Sequence, residues 1–473
     1  MTAVPERLRP LLAPASPLQE LARQFAAAGH SLHLVGGSVR DALLGVTKPD
    51  ADYDLTTDAR PDAILGLVRP WADHVWLQGQ AFGTIGAARG EMKVEITTFR
   101  AEVYRPDSRK PEVTFSDSLD TDLSRRDFTV NAMAISLPEP QLVDPYGGLD
   151  DLLIHKRLRT PLDPDVSFLD DPLRMMRAAR FVAGLGLEPD PALVTAATEL
   201  AGRLEVVSAE RIRDELNKLL VVDDPASGLW FLVRTGLADE FLPELPGLAL
   251  EQDPIHHHKD VLAHTIAVVA KTRPELVVRL AALLHDIGKP KTRSFGPEGV
   301  SFHLHDVVGA RMTEERLRAL KYPKELVDAV TQLVLLHLRF HTYKMGWTDK
   351  AIRRYVRDAG PLLDDLNHLV RCDCTTRNQA KARALGRRMD DLEARIGELA
   401  EREELASIRP PIDGHRVMEL LGVPPGRVIG EALDMLLEAR IEEGPMTEAE
   451  AEARLSAWAS TRGIPTQGGT ATE

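Results

Sequence analysis

The sequence predicts a multidomain α+β protein, with a mixed sheet in its N-terminal third and helices through the remainder. Short apolar runs separated by Gly-rich turns are confined to the region before about Asp151, and helical periodicity takes over after it. The length, 473 residues, corresponds to about three domains at roughly 150 residues each. Leu32–Val35, ahead of Gly36-Gly37, reads as a strand, and so do Thr84–Ala88 and Lys93–Phe99 on either side of a turn at Gly90. In Lys93–Phe99, Val94, Ile96 and Thr98 alternate with Glu95 and Thr97, so one face is apolar and the other polar. Helices are expected at Asp171–Phe181, Ala209–Val221, Val261–Ala270, Leu276–His285, Ala310–Leu320, Leu326–Leu338 and Gln379–Glu404. Pro and Gly mark breaks at Gly184–Pro191, Pro243–Pro254, Gly296–Gly299 and Pro410–Gly414. No internal repeat is visible, and the small, polar stretch 463–473 is expected to be disordered.

Charge narrows the function classes. Lys and Arg number 58 against 72 Asp and Glu, a net −14, so bulk charge does not coat nucleic acid or membrane, and any nucleic-acid contact is a local basic patch. No run approaches the roughly 20 apolar residues of a membrane span, which leaves no membrane partner to expect. Met1–Leu12 carries Pro and Arg without an apolar signal segment, and the two cysteines, Cys372 and Cys374, are too close to staple the chain usefully. Both features suit a cytoplasmic protein.

Two carboxylates behind a glycine turn carry the first chemistry. Leu34 to Gly45 reads as strand, Gly36-Gly37 turn and short helix with Gly45 as its stop. Glycines let backbone N–H groups approach a phosphate, and a helix N-terminus adds a favourable dipole, although such a turn is also a common structural device. Asp52-Tyr53-Asp54 follows, and residues i and i+2 of a strand share a face, where two carboxylates can share divalent cations. Two exposed acids on an edge strand are the alternative reading. Carboxylates with bound divalent ions can activate a hydroxyl and stabilise departing pyrophosphate, which points to phosphoryl or nucleotidyl transfer. Glu95, on the polar face of its strand, is a candidate third acidic group or an ordinary exposed one.

These residues resemble the head domain of the polymerase-β superfamily, and more closely the class II tRNA CCA-adding and bacterial poly(A) polymerase family. The resemblance continues in Arg125-Arg126-Asp127-Phe128-Thr129-Val130-Asn131-Ala132, in Asp144-Pro145-Tyr146-Gly147-Gly148, in Asp170 through Phe181, and in Glu210 through Leu216. It spans about residues 34 to 220. It implies catalysis at Asp52 and Asp54, which would hold Mg²⁺, and nucleotide binding by Gly36, Gly37, Arg40, Arg126, Asp127, Asn131, Asp171, Arg174, Arg177 and Arg180. The family's base-selecting motif begins Glu-Asp, whereas Asp170-Asp171 stands here with one side chain shortened. Asp171 and Arg174, three apart on the expected helix, are neighbours on one face and can offer acceptors and donors to a base edge, or form a surface salt bridge. Arg174, Arg177 and Arg180 share one helical arc that can meet triphosphate or RNA backbone, and Arg125-Arg126 is otherwise a solvated pair.

Histidines and aspartates carry the second constellation. His285-Asp286 closes a strongly apolar helix, and burying such a pair is costly without a partner, for which a metal ion is suitable. With His264 before it and Asp373 after it, the order His, His-Asp, Asp resembles an HD phosphohydrolase domain, which implies a divalent metal on His264, His285, Asp286 and Asp373. His305 and His337 recur beside further helices without an assigned role, and His256-His257-His258 reads as an exposed loop.

The resemblance implies a polymerase-β-type head at 17–150, a helical neck binding nucleotide and RNA at 151–245, an HD domain at 255–378, a helical tail at 379–462 and a disordered end at 463–473. The implied activity is template-independent addition of C, C and A to the 3′ end of tRNA from CTP and ATP, with tRNA, CTP and ATP as partners and phosphate-ester hydrolysis permitted to the HD domain. Poly(A) synthesis, CC addition alone, or an HD phosphohydrolase with a nucleotide-binding head are the alternatives. Acidic Glu442–Glu452 weighs against indiscriminate single-strand binding. The family links complete CCA addition to a flexible loop between its first two motifs, and Ala101–Asp120, with Tyr104-Arg105-Pro106-Asp107 and Arg109-Lys110-Pro111, supplies one. The segment Asp413–Gly422 with Gly426–Arg440 reads as an amphipathic RNA-contact or packing element.

Overall fold

A computed structural model describes residues 8–46, 52–103, 112–250, 260–296, 299–342, 347–375, 378–403 and 408–464. The chain divides into two compact units, Met1–Pro246 with Ala319–Lys321, and Gly247–Arg318 with Tyr322–Glu473.

The strands of the head are β1 (Leu32–Val35), β2 (Asp52–Thr57), β3 (His74–Trp76), β4 (Thr84–Arg89), β5 (Met92–Thr98), β6 (Arg100–Val103), β7 (Glu112–Phe115), β8 (Ala134–Leu137) and β9 (Gln141–Val143). Seven of them form a sheet in the order β3-β4-β5-β2-β1-β8-β9. Only β2 and β5 pair in parallel, with Asp54 opposite Glu95, so the sheet is mixed as expected. A parallel pair needs a crossover, supplied by the helix Pro61–Val68 and the strands β3 and β4. The alternation in β5 holds: Val94, Ile96 and Thr98 are buried while Lys93 and Glu95 are exposed. Helix Pro17–Ala27, capped by Ser16, sends Leu18, Leu21 and Phe25 into the core beneath this sheet. The stretch Ala101–Asp120, expected as a flexible loop, instead contributes to strands β6 and β7 of a separate antiparallel ribbon and to the start of helix Leu119–Ser124, while its residues 104–111 lie outside the described residues.

Around helix Leu173–Leu185 the neck packs helices Ala209–Leu220 and Ala226–Arg234. Phe181 of that helix meets Phe128 of the head edge to face at 5.4 Å, a contact worth roughly 0.5–1.5 kcal/mol beyond burial. The expected start at Asp171 is corrected to Leu173. Asp171 ends the preceding helix Pro164–Asp170 in an extended conformation, and Pro172 follows at the first-turn position where its missing N–H costs nothing.

The second unit is built on helices Val261–Lys271, Leu276–Leu284, His305–Ala319, Lys324–Leu336, Asp349–Ala359, Leu363–Asp373 and Gln379–Glu403. Its last helices, Gly414–Leu421, Arg427–Glu443 and Glu448–Thr461, enclose a core of their own that includes Val417, Leu421, Leu436 and Leu455, and Thr447 with Glu450 forms a capping box on the third. The helix expected at Ala310 starts at His305, just after Leu304 at a positive φ of 59°. Two strand pairs escaped the sequence reading of this helical region. Arg157–Leu158 pairs with Glu188–Pro189, and Arg293–Gly296 pairs antiparallel with Gly299–Phe302, so the predicted break at Gly296–Gly299 falls between two paired strands. These strands are two to four residues long, too short for an apolar alternation to show. His256–His258 and 465–473 lie outside the described residues.

Candidate functional site

Gly36 is where the head site begins. Its φ of 71° with ψ of −137° is a conformation open to glycine, and it leads into helix Gly37–Leu43. A Cβ there would stand 3.2 Å from Arg126 Nη1 and 3.6 Å from Asp54 Oδ2. The main chain therefore passes directly beside a guanidinium and a carboxylate. Asp52 and Asp54 share the exposed end of β2, and Glu95 stands across the parallel ladder from Asp54. Lost solvation raises the Asp54 pKa, with Asp52 adding to the rise and Arg126 opposing it. Glu95 is raised by lost solvation and then by Asp54 and Asp52. Three mutually repelling carboxylates with hard oxygen donors suit a divalent cation.

Asp122, which the sequence reading missed, organises the arginines. Fully buried, it accepts from Arg125 Nη2 at 2.7 Å, Arg126 Nη2 at 3.2 Å and Thr56 Oγ1 at 3.1 Å. Its spacing of three and four residues from Arg125 and Arg126 was the available signal. The solvated-pair reading of Arg125-Arg126 is thereby corrected, because both guanidiniums are anchored by one buried charge. Arg40 is also engaged: it pairs with Asp41 at 2.6 Å, donates to Asn131 Oδ1 at 2.5 Å and lies 5.3 Å from the Phe181 ring. The structure thus joins Arg40 and Asn131 in a brace inside the head.

Asp127 accepts from Phe128 N and Asn131 Nδ2, each at 2.9 Å, and from Arg177 Nη2 at 2.5 Å. Burial pushes its pKa up, but Arg177 and the Asn131 hydrogen bond outweigh that and bring it down to about 2. Arg180 Nε donates to Glu215 Oε2 at 2.7 Å while its guanidinium lies 4.2 Å from the Phe181 ring. The arc of Arg174, Arg177 and Arg180 exists, and each guanidinium on it also has protein partners. The side chains of Asp171 and Arg174 do not pair, although Arg174 N donates to the Asp171 carbonyl at 3.0 Å. Arg174, 7% exposed, donates to Ser167 Oγ at 2.9 Å and the Arg125 carbonyl at 2.5 Å, while Asp171 accepts from Arg211 at 3.3 Å and caps Leu173 N. The helix break at Pro172 turns them apart.

In the second unit the four expected ligands converge. His264 Nε2 lies 2.9 Å from Asp373 Oδ1 and 3.6 Å from Asp286 Oδ2. His285 Nε2 lies 3.5 Å from Asp373 Oδ1 and 3.2 Å from Asp286 Oδ2. Burial lowers the His285 pKa, but Asp286 and Asp373 raise it to about 10, while both carboxylates fall below their ordinary range. This nitrogen and oxygen donor set fits a divalent transition cation. The structure adds His305 and His337, whose rings lie 5.3 Å apart, with His337 5.4 Å from His285. The cost argument that singled out His285 applied equally to His337, which closes the apolar run Leu333-Val334-Leu335-Leu336. Gly288 makes the convergence possible, since a Cβ there would collide with the His305 carbonyl at 2.2 Å.

A glycine turn, a shared carboxylate face and anchored arginines on a mixed sheet define a nucleotidyltransferase head, here on a chain that also carries an HD centre. Residues 32–159 match the poly(A) polymerase head domain, 186–248 the probable RNA and SrmB-binding site of polymerase A, and 257–405 the HD domain. The chain is 37% identical over 440 residues to the A-adding tRNA nucleotidyltransferase of Deinococcus radiodurans, covering 90% of this chain and 95% of that one. It is 33% identical to the CC-adding tRNA nucleotidyltransferase of Thermus thermophilus, over 90% and 94% of the two chains. It is also 31% identical to the CCA-adding enzyme of Geobacillus thermodenitrificans, over 93% and 95%. Among solved structures, the Bacillus stearothermophilus CCA-adding enzyme in complex with CTP superposes with a TM-score of 0.64 at 25% identity, covering 95% of this chain and 99% of that one. The chain belongs to the tRNA nucleotidyltransferase family.

Proposed function

We propose that the protein completes the 3′ end of tRNA, adding C, C and A from CTP and ATP without a nucleic-acid template. The observation that carries this reading is the meeting of Gly36, Asp54 and Arg126 at the exposed end of β2. Backbone N–H groups of Gly36-Gly37 and the Arg126 guanidinium hold the triphosphate, with Arg126 oriented by Asp122. Mg²⁺ on Asp52 and Asp54, with Glu95 beside them, would supply charge neutralisation at the reacting phosphate and acidify the attacking hydroxyl. The tRNA 3′-oxygen bonds to the α-phosphorus, the bond to the β-phosphate oxygen breaks, and pyrophosphate leaves. Arg40, Asn131, Asp127, Arg177 and Arg180 position the walls of the nucleotide site through their mutual contacts. Asp171 and Arg174 read the base, Arg174 through the guanidinium donors that its bonds to Ser167 and Arg125 leave over. The neck receives the RNA, and the whole operates in the cytoplasm, where Cys372 and Cys374 stay as thiols.

A second reading, addition of the terminal A alone, is favoured by the 37% identity to the A-adding enzyme of Deinococcus radiodurans. Incubating the protein with Mg²⁺ and tRNA ending at the discriminator base, at C or at CC, with CTP or ATP alone and together, separates the readings. Labelled CTP on the first two substrates and ATP on the third supports CCA addition. ATP incorporation confined to tRNA ending in CC, with no CTP incorporation, establishes the second reading.

A further inference from the structure

In the antiparallel strand pair Arg293–Gly296 and Gly299–Phe302, Arg293 stands opposite Phe302 and Phe295 opposite Val300. Cross-strand partners share a face, as do residues two apart, so these four side chains line one face and Ser294 with Ser301 the other. On the serine face the two hydroxyls lie 2.8 Å apart and tie the strands together. On the other, the Arg293 guanidinium lies over the Phe295 ring, 4.8 Å from its centre, and Lys289 Nζ lies 5.6 Å from the centre of the Phe302 ring. Phe295 is 71% exposed, more than any other large apolar side chain among the described residues. With Arg293 over one side of the ring, the other side is left to solvent. A single exposed apolar residue is ordinary, whereas a ring held by one cation and flanked by a second ring and cation is a prepared surface.

The sequence around this pair is basic. Between Asp286 and Asp306 stand Lys289, Lys291 and Arg293, with Glu298 as the one acid, in a chain of net charge −14. Lys289 Nζ is taken by Asp286 at 2.7 Å, while Lys291 is exposed. A cationic surface with an open aromatic ring fits a ligand that brings both negative charge and a free π-face. A duplex brings the charge but keeps its bases stacked inside, and an apolar protein segment brings no charge. Single-stranded RNA brings both. We propose that this strand pair is a docking surface for single-stranded RNA, with one base on the open side of Phe295 and the neighbouring phosphates on Lys291 and Arg293.

Every base has a π-face, so such a surface accepts any base and selects unpaired RNA over paired RNA. The ladder of four residue pairs and the serine hydroxyls hold the ring in place beforehand, so little ordering is left to oppose binding. The contact lies outside 186–248, the segment that matches an RNA-binding model, and gives the second unit an RNA surface of its own. The choice of RNA over DNA rests on the tRNA reading above; the stacking geometry does not.

A dye-labelled, unstructured oligoribonucleotide of about ten residues is titrated with the full-length protein and followed by anisotropy over a range of salt concentrations. Phe295→Leu should weaken binding about tenfold with unchanged circular dichroism and unchanged salt dependence, and Phe295→Trp should restore it. Lys291→Gln should instead lower the slope of log affinity against log salt by about 0.7, and an unchanged slope removes Lys291 from the surface. In the parent, the same RNA carrying 4-thiouridine should cross-link on irradiation to the peptide that holds Phe295. Cross-links that all fall outside Arg293–Phe302 overturn the proposal. Affinity in Phe295→Leu within about twofold of the parent overturns it too, and leaves the face to a protein partner. Addition of CTP and ATP to tRNA by the same preparations is measured alongside. A parent that adds nucleotides, beside a Phe295→Leu variant of unchanged affinity, removes the docking surface and keeps the tRNA reading. A parent that adds none, with affinity still dependent on Phe295, does the reverse.

Discussion

Arg177 Nη2 stands 2.5 Å from Asp127 Oδ2, an ion pair that fastens the central helix of the neck to the head. Asp127 is 9% exposed, and its pKa of about 2 lies below the ordinary carboxylate value of 3.8. A depressed folded-state pKa means that the stabilisation is complete above pH 4 and lost as the pH falls from about 4 to 2. The shift corresponds to about 2 kcal/mol. Asp127→Asn should remove this part of the acid transition and lower stability at pH 7 by about 2–4 kcal/mol, since Arg177 loses its counter-charge. Urea unfolding at pH 7 and at pH 3 checks it, and an equal loss at both would contradict the pair's role.

Asp52→Ala or Asp54→Ala should cut nucleotide addition by roughly a thousandfold or more at saturating Mg²⁺ while leaving the fold intact. Lost solvation and Asp52 raise the Asp54 pKa, and Asp54 in turn adds to the rise at Glu95, so the Asp54 variant should melt no lower than the parent. Activity near the parental level in a variant with unchanged circular dichroism would remove these residues from the reaction.

Gly36→Ala should destabilise the head by about 1–3 kcal/mol, because its backbone conformation disfavours a side chain and the new methyl crowds Arg126. The same variant should weaken triphosphate binding, seen as a raised KM for ATP. A stable variant with parental KM would show that the turn relaxes easily.

Asp171 and Arg174 should separate in their effects. Asp171 pairs with a half-exposed Arg211, so Asp171→Ala should change stability by less than about 0.5 kcal/mol while raising UTP or GTP incorporation relative to CTP and ATP. Arg174→Ala removes the buried guanidinium that donates to Ser167 and to the Arg125 carbonyl and should cost about 1–3 kcal/mol besides. Uniform rate loss with unchanged nucleotide preference in Asp171→Ala would assign it to packing.

Shortening Arg105 to Pro111, carried on the β6–β7 ribbon, should spare addition of the two C residues and depress the terminal A. Gel analysis of tRNA products resolves the steps. Equal loss of C and A addition contradicts a specificity role for this segment.

Much of the head was legible because its signals are local. Alternation gave β5, the Gly36-Gly37 turn gave the strand-to-helix junction, and i,i+2 spacing put Asp52 and Asp54 on one face. What escaped depends on contacts remote in sequence. Nothing near Arg177 announces Asp127, 50 residues earlier, as its partner. Glu95 was a candidate third acid from its place on the polar face of its strand, and strand pairing sets it opposite Asp54. Asp171 and Arg174 were misplaced because three-residue spacing was read without the break that Pro172 imposes. His305 and His337 stayed unassigned because the pattern His, His-Asp, Asp is complete without them, whereas packing brings both to Asp286.

The buried carboxylate of Asp122 touches no solvent, yet it holds Arg125, Arg126 and Thr56 of β2 at once. Its effect is on reorganisation: when negative charge builds on a triphosphate beside Gly36, the guanidinium that answers it is already aligned, so little motion of charge accompanies the reaction. The alignment is set once, when the chain folds, and every later turnover inherits it.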